Sequence, residues 1–183
     1  LICKESDPKQ LEAAFGKINY RHRLVAMIGE KGIKGKQLER FIDVDFSIGC
    51  CFAIRVDAFF EIGEFDESFF AYMEEVDLCR RLRDARYRTV VMPGVRAIHK
   101  GSKGNEQKAL NKEYFVTRNA ILYMKKHGGL FAWSKFALFF FIAVPVYYLP
   151  MAIFGRKAFV RRLQGYVDRI VNRPVRDVVK DRL

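Results

Sequence analysis

The sequence has no Cys-x-x-Cys pair, and none of its three histidines stands at the spacing a zinc site needs, so a zinc module is excluded. It has no internal repeat and no low-complexity tract, which removes solenoids and flexible linkers from consideration. Its opening at Leu1 lacks a basic flank followed by an apolar run, so nothing there resembles a secretory signal, and the chain reads as part of a longer protein. Four cysteines occur, Cys3, Cys50, Cys51 and Cys79. Side chains of adjacent strand residues point to opposite faces, so Cys50 and Cys51 can hardly bridge each other, and all four are expected to be reduced, buried and structural.

Acidic residues are the scarcer charge. Thirty-three Lys and Arg against 21 Asp and Glu leave a net charge of +12, which calls for an anionic partner. From Arg156 to Leu183 there are nine basic residues and three acidic ones, directly after the uncharged run FALFFFIAVPVYYLPMAIF at Phe136 to Phe154. Those 19 residues are about the length that crosses a bilayer core of roughly 30 Å. Pro145 and Pro150 inside the run kink a helix, so spanning the bilayer, re-entering it, lying in its interface and forming a buried core helix of a soluble protein are all open readings. Basic residues at both ends fit a membrane flank, and a membrane surface is the expected partner rather than nucleic acid, for which no recognisable module is present.

Along the chain, the first forty residues read as loops and short strands. Asp43 to Ile54, DVDFSIGCCFAI, has the content of a buried strand, with Gly49 marking a close backbone approach. A short helix, VDAFFEIG, closes at Gly63. A second helix is expected from about Glu74 to Ala85, with Val76, Cys79 and Leu82 on its buried face. Strands over 88–92 and 95–99 flank a Pro93-Gly94 turn, and an amphipathic helix covers Glu106 to Lys126 with Leu110, Tyr114, Ile121 and Met124 on its apolar side.

The densest polar cluster is Glu74-Glu75-Val76-Asp77, following FDESFFAYM. Two readings are open. Acidic side chains in a first helical turn are favoured by the helix dipole alone, by about 0.3–1 kcal/mol each. A carboxylate at the mouth of a loop-helix unit beside aromatic residues can also have a raised pKa and act as general base toward a hydroxyl. His99 ends an extended run, and a lone histidine is more often structural than a ligand. His22 and His127 lack supporting context and are expected at the surface.

The order of these pieces resembles the second half of family 2 glycosyltransferases, in their rhamnosyltransferase-like variety that builds bacterial surface polysaccharides. The resemblance rests on Asp45 to Gly104, where Gly-x-x-x-x-Ile-Arg from Gly49, Gly-x-Phe-Asp-Glu from Gly63, Glu-Glu-Val-Asp-Leu-Cys-x-Arg-Leu from Glu74, and His99 occur in the family's order. It implies an α/β fold of GT-A type, the acceptor-side half only, over residues 1–105. An amphipathic helix over 106–132, a membrane-inserted or interfacial apolar helix over 133–155 and a basic C-terminal helix over 156–183 would follow. The implied reaction is inverting transfer of a sugar from a nucleotide-diphosphate donor to a saccharide or lipid-linked acceptor at the cytoplasmic face of the cell membrane. By resemblance Glu75 is the base and Glu74 contacts acceptor, although the family usually has Asp at the second position, which leaves the assignment between the two open. Asp77, Phe70 and Tyr72 would bind or orient the acceptor, Lys100 and Lys103 the diphosphate, and His99 a divalent metal, Mg or Mn, held mostly by a preceding half. Asp43-Val44-Asp45 falls at the strand before the acceptor elements and is given no metal role. This part alone is expected to lack turnover. The alternative is a non-catalytic membrane-associated module that binds anionic lipid or a partner protein.

Overall fold

The computed structural model describes residues 1–7, 9–19, 24–29, 41–100, 106–138, 153 and 156–174. It is a mixed α/β chain of small sheets and helices that divides into two compact units. The first unit is Leu1–Asn19, Val25–Asp66 and Glu74–Lys103, and the second is Tyr20–Leu24, Glu67–Met73 and Gly104–Leu183.

In the first unit the strands are short: β1 (Ile2–Lys4), β2 (Leu11–Ala13), β3 (Phe15–Ile18), β4 (Val25–Ile28), β5 (Ile42–Asp43), β6 (Val90–Val91) and β7 (Ala97–His99). They form a three-stranded sheet in the order β2-β1-β7 and two separate pairs, β3 with β4 and β5 with β6. β1 runs antiparallel to β2 and parallel to β7, with Lys4 opposite His99. Gly16 bridges to Phe46, and a Cβ on Gly16 would stand inside the buried Phe46 ring, so a side chain there is incompatible with this packing.

Two helices complete this unit, α1 (Val56–Glu61) and α2 (Glu74–Asp84). α1 ends as its sequence demands: Gly63 takes φ +83° and donates to Phe60 O, while Glu64 N–H reaches back to Phe59 O at 3.0 Å. That pair of bonds satisfies carbonyls the helix leaves orphaned, and only glycine takes this left-handed position without a Cβ penalty. α2 ends in the same motif with Arg86 at φ +65°. Its buried residues are Val76, Asp77, Leu78, Cys79 and Leu82, of which Leu78 and Leu82 pack on Ala58 of α1. The expected apolar face is therefore present, with one buried acid added to it.

The expected strand over 43–54 is not formed as such. Only Ile42–Asp43 pairs with Val90–Val91, and beyond the Phe46 bridge the chain turns at residues 48–51. Strand content is favourable only where a pleated partner surface exists, and among the described residues none faces 47–54. The expectation that all four cysteines are buried also needs correction. Cys3 and Cys79 are buried, whereas Cys50 and Cys51 lie at that turn and are exposed, all four unbridged.

In the second unit a 3-10 turn (Glu67–Phe69), α3 (Glu106–His127), the helical residues 130–138 (α4) and α5 (Arg156–Ile170) are described. α3 was expected to show one apolar side, yet Tyr114 to Met124 are buried almost all round, polar Thr117, Arg118 and Asn119 included. It is the central helix of its unit. α5 lies against it at Gly165, whose missing Cβ leaves room for Thr117 Oγ1 and the Tyr114 carbonyl. Tyr114 donates to Asp168 Oδ2 at 2.8 Å, and Arg162 of α5 pairs with Glu113. α5 stops on Asn172 at φ +55°, with Arg173 N–H bonded to Asp168 O. His127 is half-buried rather than on the surface, its ring 4.7 Å from that of Tyr123.

Among the described residues no helix is long and apolar enough to cross a membrane. Most of the apolar run 136–154 lies outside the described residues, as do His22 and Lys103.

Candidate active site

Glu74 and Glu75 open α2, as the sequence predicts for acids beside unsatisfied helix N–H groups. Both are half-buried. Burial pushes the Glu74 carboxyl above the usual glutamate range, and its buried Oε2 has no hydrogen-bond partner among the described residues. A carboxylate so placed holds its proton more tightly than one in water, which is the direction a general base needs. Glu75 points at the turn: a Cβ on Gly49 would lie 3.4 Å from its Cδ and 3.5 Å from its Oε1. The close backbone approach expected at Gly49 is not what is found: its neighbour is this side chain, at ordinary van der Waals distance.

Folded, Glu74 keeps its proton to higher pH than unfolded. Its contribution to stability is complete below the unfolded pKa and is lost as pH rises through the folded one. Replacing Glu74 with glutamine is therefore expected to raise the urea midpoint at pH 7 and to change it little at pH 3.5. Equal shifts at both pH values would mean that the carboxylate is not strained by burial.

Asp77 is fully buried and accepts from Arg81 Nε at 2.8 Å. The same guanidinium donates to the carbonyls of Ile62 at 2.6 Å and Glu64 at 2.5 Å. Asp77 thereby joins α2 to the turn after α1. Its carboxylate is engaged inside the fold rather than directed outward.

His99 ends β7, and its Nδ1 lies 3.2 Å from Glu12 Oε2 on β2, the other edge strand of the sheet. Glu12 is a residue that sequence reading missed. It stands 87 positions away, in no motif, and only the sheet order reveals it. Although Cys50 is exposed overall, partial desolvation of its thiol raises the pKa first, and Cys51, Glu12 and Glu75 add to the rise. Glu12 and Glu75 are therefore each in electrostatic reach of Cys50, and the histidine is bonded to Glu12. Lys100 follows His99 and is exposed.

A divalent cation finds an incomplete donor set here. Among the described residues no three His, Cys, Asp or Glu side chains converge to hold a metal, and His99 with Glu12 offers two donors where Mg²⁺ or Mn²⁺ takes about six. Asp43 and Asp45 serve structure: Asp43 takes a forked bond from Arg88, and Asp45 accepts from the Ile18 N–H and from Arg83. The guanidinium beside Asp43 holds its carboxyl below the usual range.

A cavity of about 460 Å³ is lined by Ile48, Cys51, Ile54, Leu78, Cys79 and Val91 among others. It includes none of the candidate residues.

In the second unit, the loop ahead of α2 alternates. Phe69 and Met73 are buried, while Phe70 and Tyr72 remain 49% and 38% exposed. The Phe70 ring rests on Phe115 of α3, centroids 5.3 Å apart. Exposed aromatic faces held in place in this way suit stacking on sugar rings.

Comparison with known proteins adds a short but specific likeness. Over 51 residues the chain is 43% identical to N-acetylglucosaminyl-diphospho-decaprenol L-rhamnosyltransferase of Mycobacterium tuberculosis, in strains CDC 1551 and H37Rv alike. That stretch is 28% of this chain and 17% of the mycobacterial protein. Over 56 residues it is 38% identical to Rhamnosyltransferase WbbL of Escherichia coli K12, covering 31% of this chain and 21% of that one. The chain is glycosyltransferase-like over this stretch. It spans about a fifth of the length of the curated relatives it matches. No family model matches, and no solved structure matches.

Proposed function

We propose that this chain is the acceptor-side part of an inverting glycosyltransferase of GT-A type, acting in surface-polysaccharide synthesis. The observation that carries this reading is the Glu74-Glu75 pair, one carboxyl buried and raised, the other set against Gly49, within a chain similar to rhamnosyltransferases. The donor would be a nucleotide-diphosphate sugar and the acceptor a saccharide or a lipid-linked one. Glu75 takes the proton of the acceptor hydroxyl as that oxygen attacks the anomeric carbon, and the bond to the diphosphate breaks with its electron pair leaving on the diphosphate. Glu74 contacts the acceptor, and Asp77 fixes the helix that carries both. Phe70 and Tyr72 give the acceptor its stacking surface, while Lys100 and Lys103 meet the negative charge of the leaving group. A divalent cation, when bound, would help neutralise that charge. Most of its ligands would come from outside the described residues, with His99 at its margin.

The test is sugar transfer by the full-length protein from a panel of nucleoside-diphosphate sugars, followed as nucleotide release that depends on added acceptor. Acceptor-independent release alone, or none with any donor, would sink the reading.

The same reading expects the protein at the cytoplasmic face of the membrane, and α5 offers a surface suited to membrane contact. Val160, Leu163, Val167, Ile170 and Val171 stand exposed along one side of α5 and its end, opposite the buried Gly165 and Arg162, with Arg156, Lys157 and Arg161 at its start. An apolar stripe with basic residues beside it fits an anionic lipid surface. Vesicles containing phosphatidylglycerol should bind the chain more tightly than phosphatidylcholine vesicles, and less tightly as salt rises. Leu163→Glu should weaken that binding about tenfold, the loss of one buried leucine. Binding that ignores the substitution removes α5 from the membrane contact. Vesicle binding without any transfer by the full-length protein would favour the lipid-binding module instead.

A further inference from the structure

The loop Glu67–Met73 has an unusual backbone. Phe70, Tyr72 and Met73 take φ values of +60°, +64° and +73°, a region that side-chain-bearing residues rarely adopt and that persists only when the surroundings impose it. Few bonds within the loop impose it. Phe70 N–H reaches Glu67 O at 3.0 Å and Ala71 N–H reaches Phe69 O at 2.7 Å. The remaining carbonyls are gathered by two adjacent residues of α3. Asn119, fully buried, places Nδ2 at 2.8, 2.8 and 2.7 Å from the carbonyl oxygens of Phe69, Ala71 and Tyr72. Its Oδ1 accepts from Arg118 Nη1 at 2.8 Å, and that nitrogen also reaches Ser68 O at 3.0 Å. Arg118 is buried as well, and its Nε has no hydrogen-bond partner among the described residues. A guanidinium is an expensive group to bury, and here the protein uses it to orient one amide and one loop carbonyl.

The arrangement admits only one orientation of the amide. Turned over, Asn119 would set its oxygen against three carbonyl oxygens and its NH₂ against a guanidinium. The pair therefore reads the loop through its main chain, and leaves the Phe70 and Tyr72 side chains outside the grip.

We propose that Arg118 and Asn119 are positioning residues for the acceptor, acting through the loop they hold. The inference rests on the proposed glycosyl transfer: the loop presents Phe70 and Tyr72 and leads, at Met73, directly into Glu74. Neither residue touches substrate. Their contribution is that the loop and its aromatic pair keep one geometry in the absence of acceptor.

Asn119→Asp is the direct test, since it keeps the shape and exchanges the donor for an oxygen. Asn119→Ser, which adds no charge, carries the same comparison if the first variant fails to fold. With helix content unchanged, chymotrypsin should cut the variant chain after Phe70 or Tyr72 about tenfold faster than the parent, as expected for a loop that has lost its restraint. In the full-length protein kcat/KM for acceptor should fall about 10²-fold, while KM for the donor stays put, because a small misplacement of a positioning element is felt only by the group it positions. Faster cleavage with unchanged acceptor kinetics would make the pair a structural support and overturn the proposal, as would parental cleavage rates. If the parent protein transfers no sugar, the proposed function fails on its own account, and the cleavage rates still decide whether the loop is held by Asn119.

Discussion

Glu75→Gln in the full-length protein is expected to lower kcat about 10²–10⁴-fold, the range over which a positioned general base accelerates proton removal. Glutamine keeps the size and the contact with Gly49 but cannot take a proton, so acceptor binding should survive and the loss should fall on kcat. Glu74→Gln belongs beside it. Each carboxyl has a buried Oε2, and the two differ otherwise in surroundings: Glu74 has the raised pKa, while Glu75 faces the turn that bears Gly49 and Cys50. A large loss at Glu74 with little at Glu75 would move the base one residue back along the helix. Full activity in both variants would leave the acidic cluster with the dipole role alone and remove it from the mechanism.

Arg81→Met is expected to cost about 3–5 kcal/mol of stability, the range for stripping the partner from a buried charge. Asp77 is fully out of solvent, and methionine retains the length and apolar stem of arginine while offering nothing to the carboxylate or to the carbonyls of Ile62 and Glu64. The measurement is a urea midpoint with the slope checked for constancy. Adding Asp77→Asn should return a good part of the loss, because the penalty lies in the charge left behind rather than in the pair as such. A cost below about 1 kcal/mol for Arg81→Met would place this ion pair among the surface pairs of little consequence.

Legibility followed the range of the forces. α1 and its stop at Gly63 are local events, and they stand where the sequence put them. So do α2, whose apolar spacing repeats within one helix, and the span of α3. The run 43–54 misled because β-branched and aromatic content reports suitability for a sheet, and a sheet needs a partner that only tertiary pairing supplies. Cys50 and Cys51 misled with it, since their burial was inferred from a strand that instead became a turn. The left-handed ends at Arg86 and Asn172 differ in kind. Asn is a common residue there, whereas nothing local marks Arg86.

What the sequence determined by itself was the acidic start of α2, the glycine beside it and the aromatic loop ahead of it, because each depends on neighbours a few residues away. What only the tertiary structure decided was which distant groups meet those residues. Glu12 reaches His99 through sheet order, Arg81 is committed to Asp77 and two carbonyls, and Asn119 takes hold of a loop some 48 residues earlier. No periodicity records such pairings. They form because a buried polar group must find a partner wherever the fold brings one within about 3 Å, and the chain distance to that partner does not enter the energy.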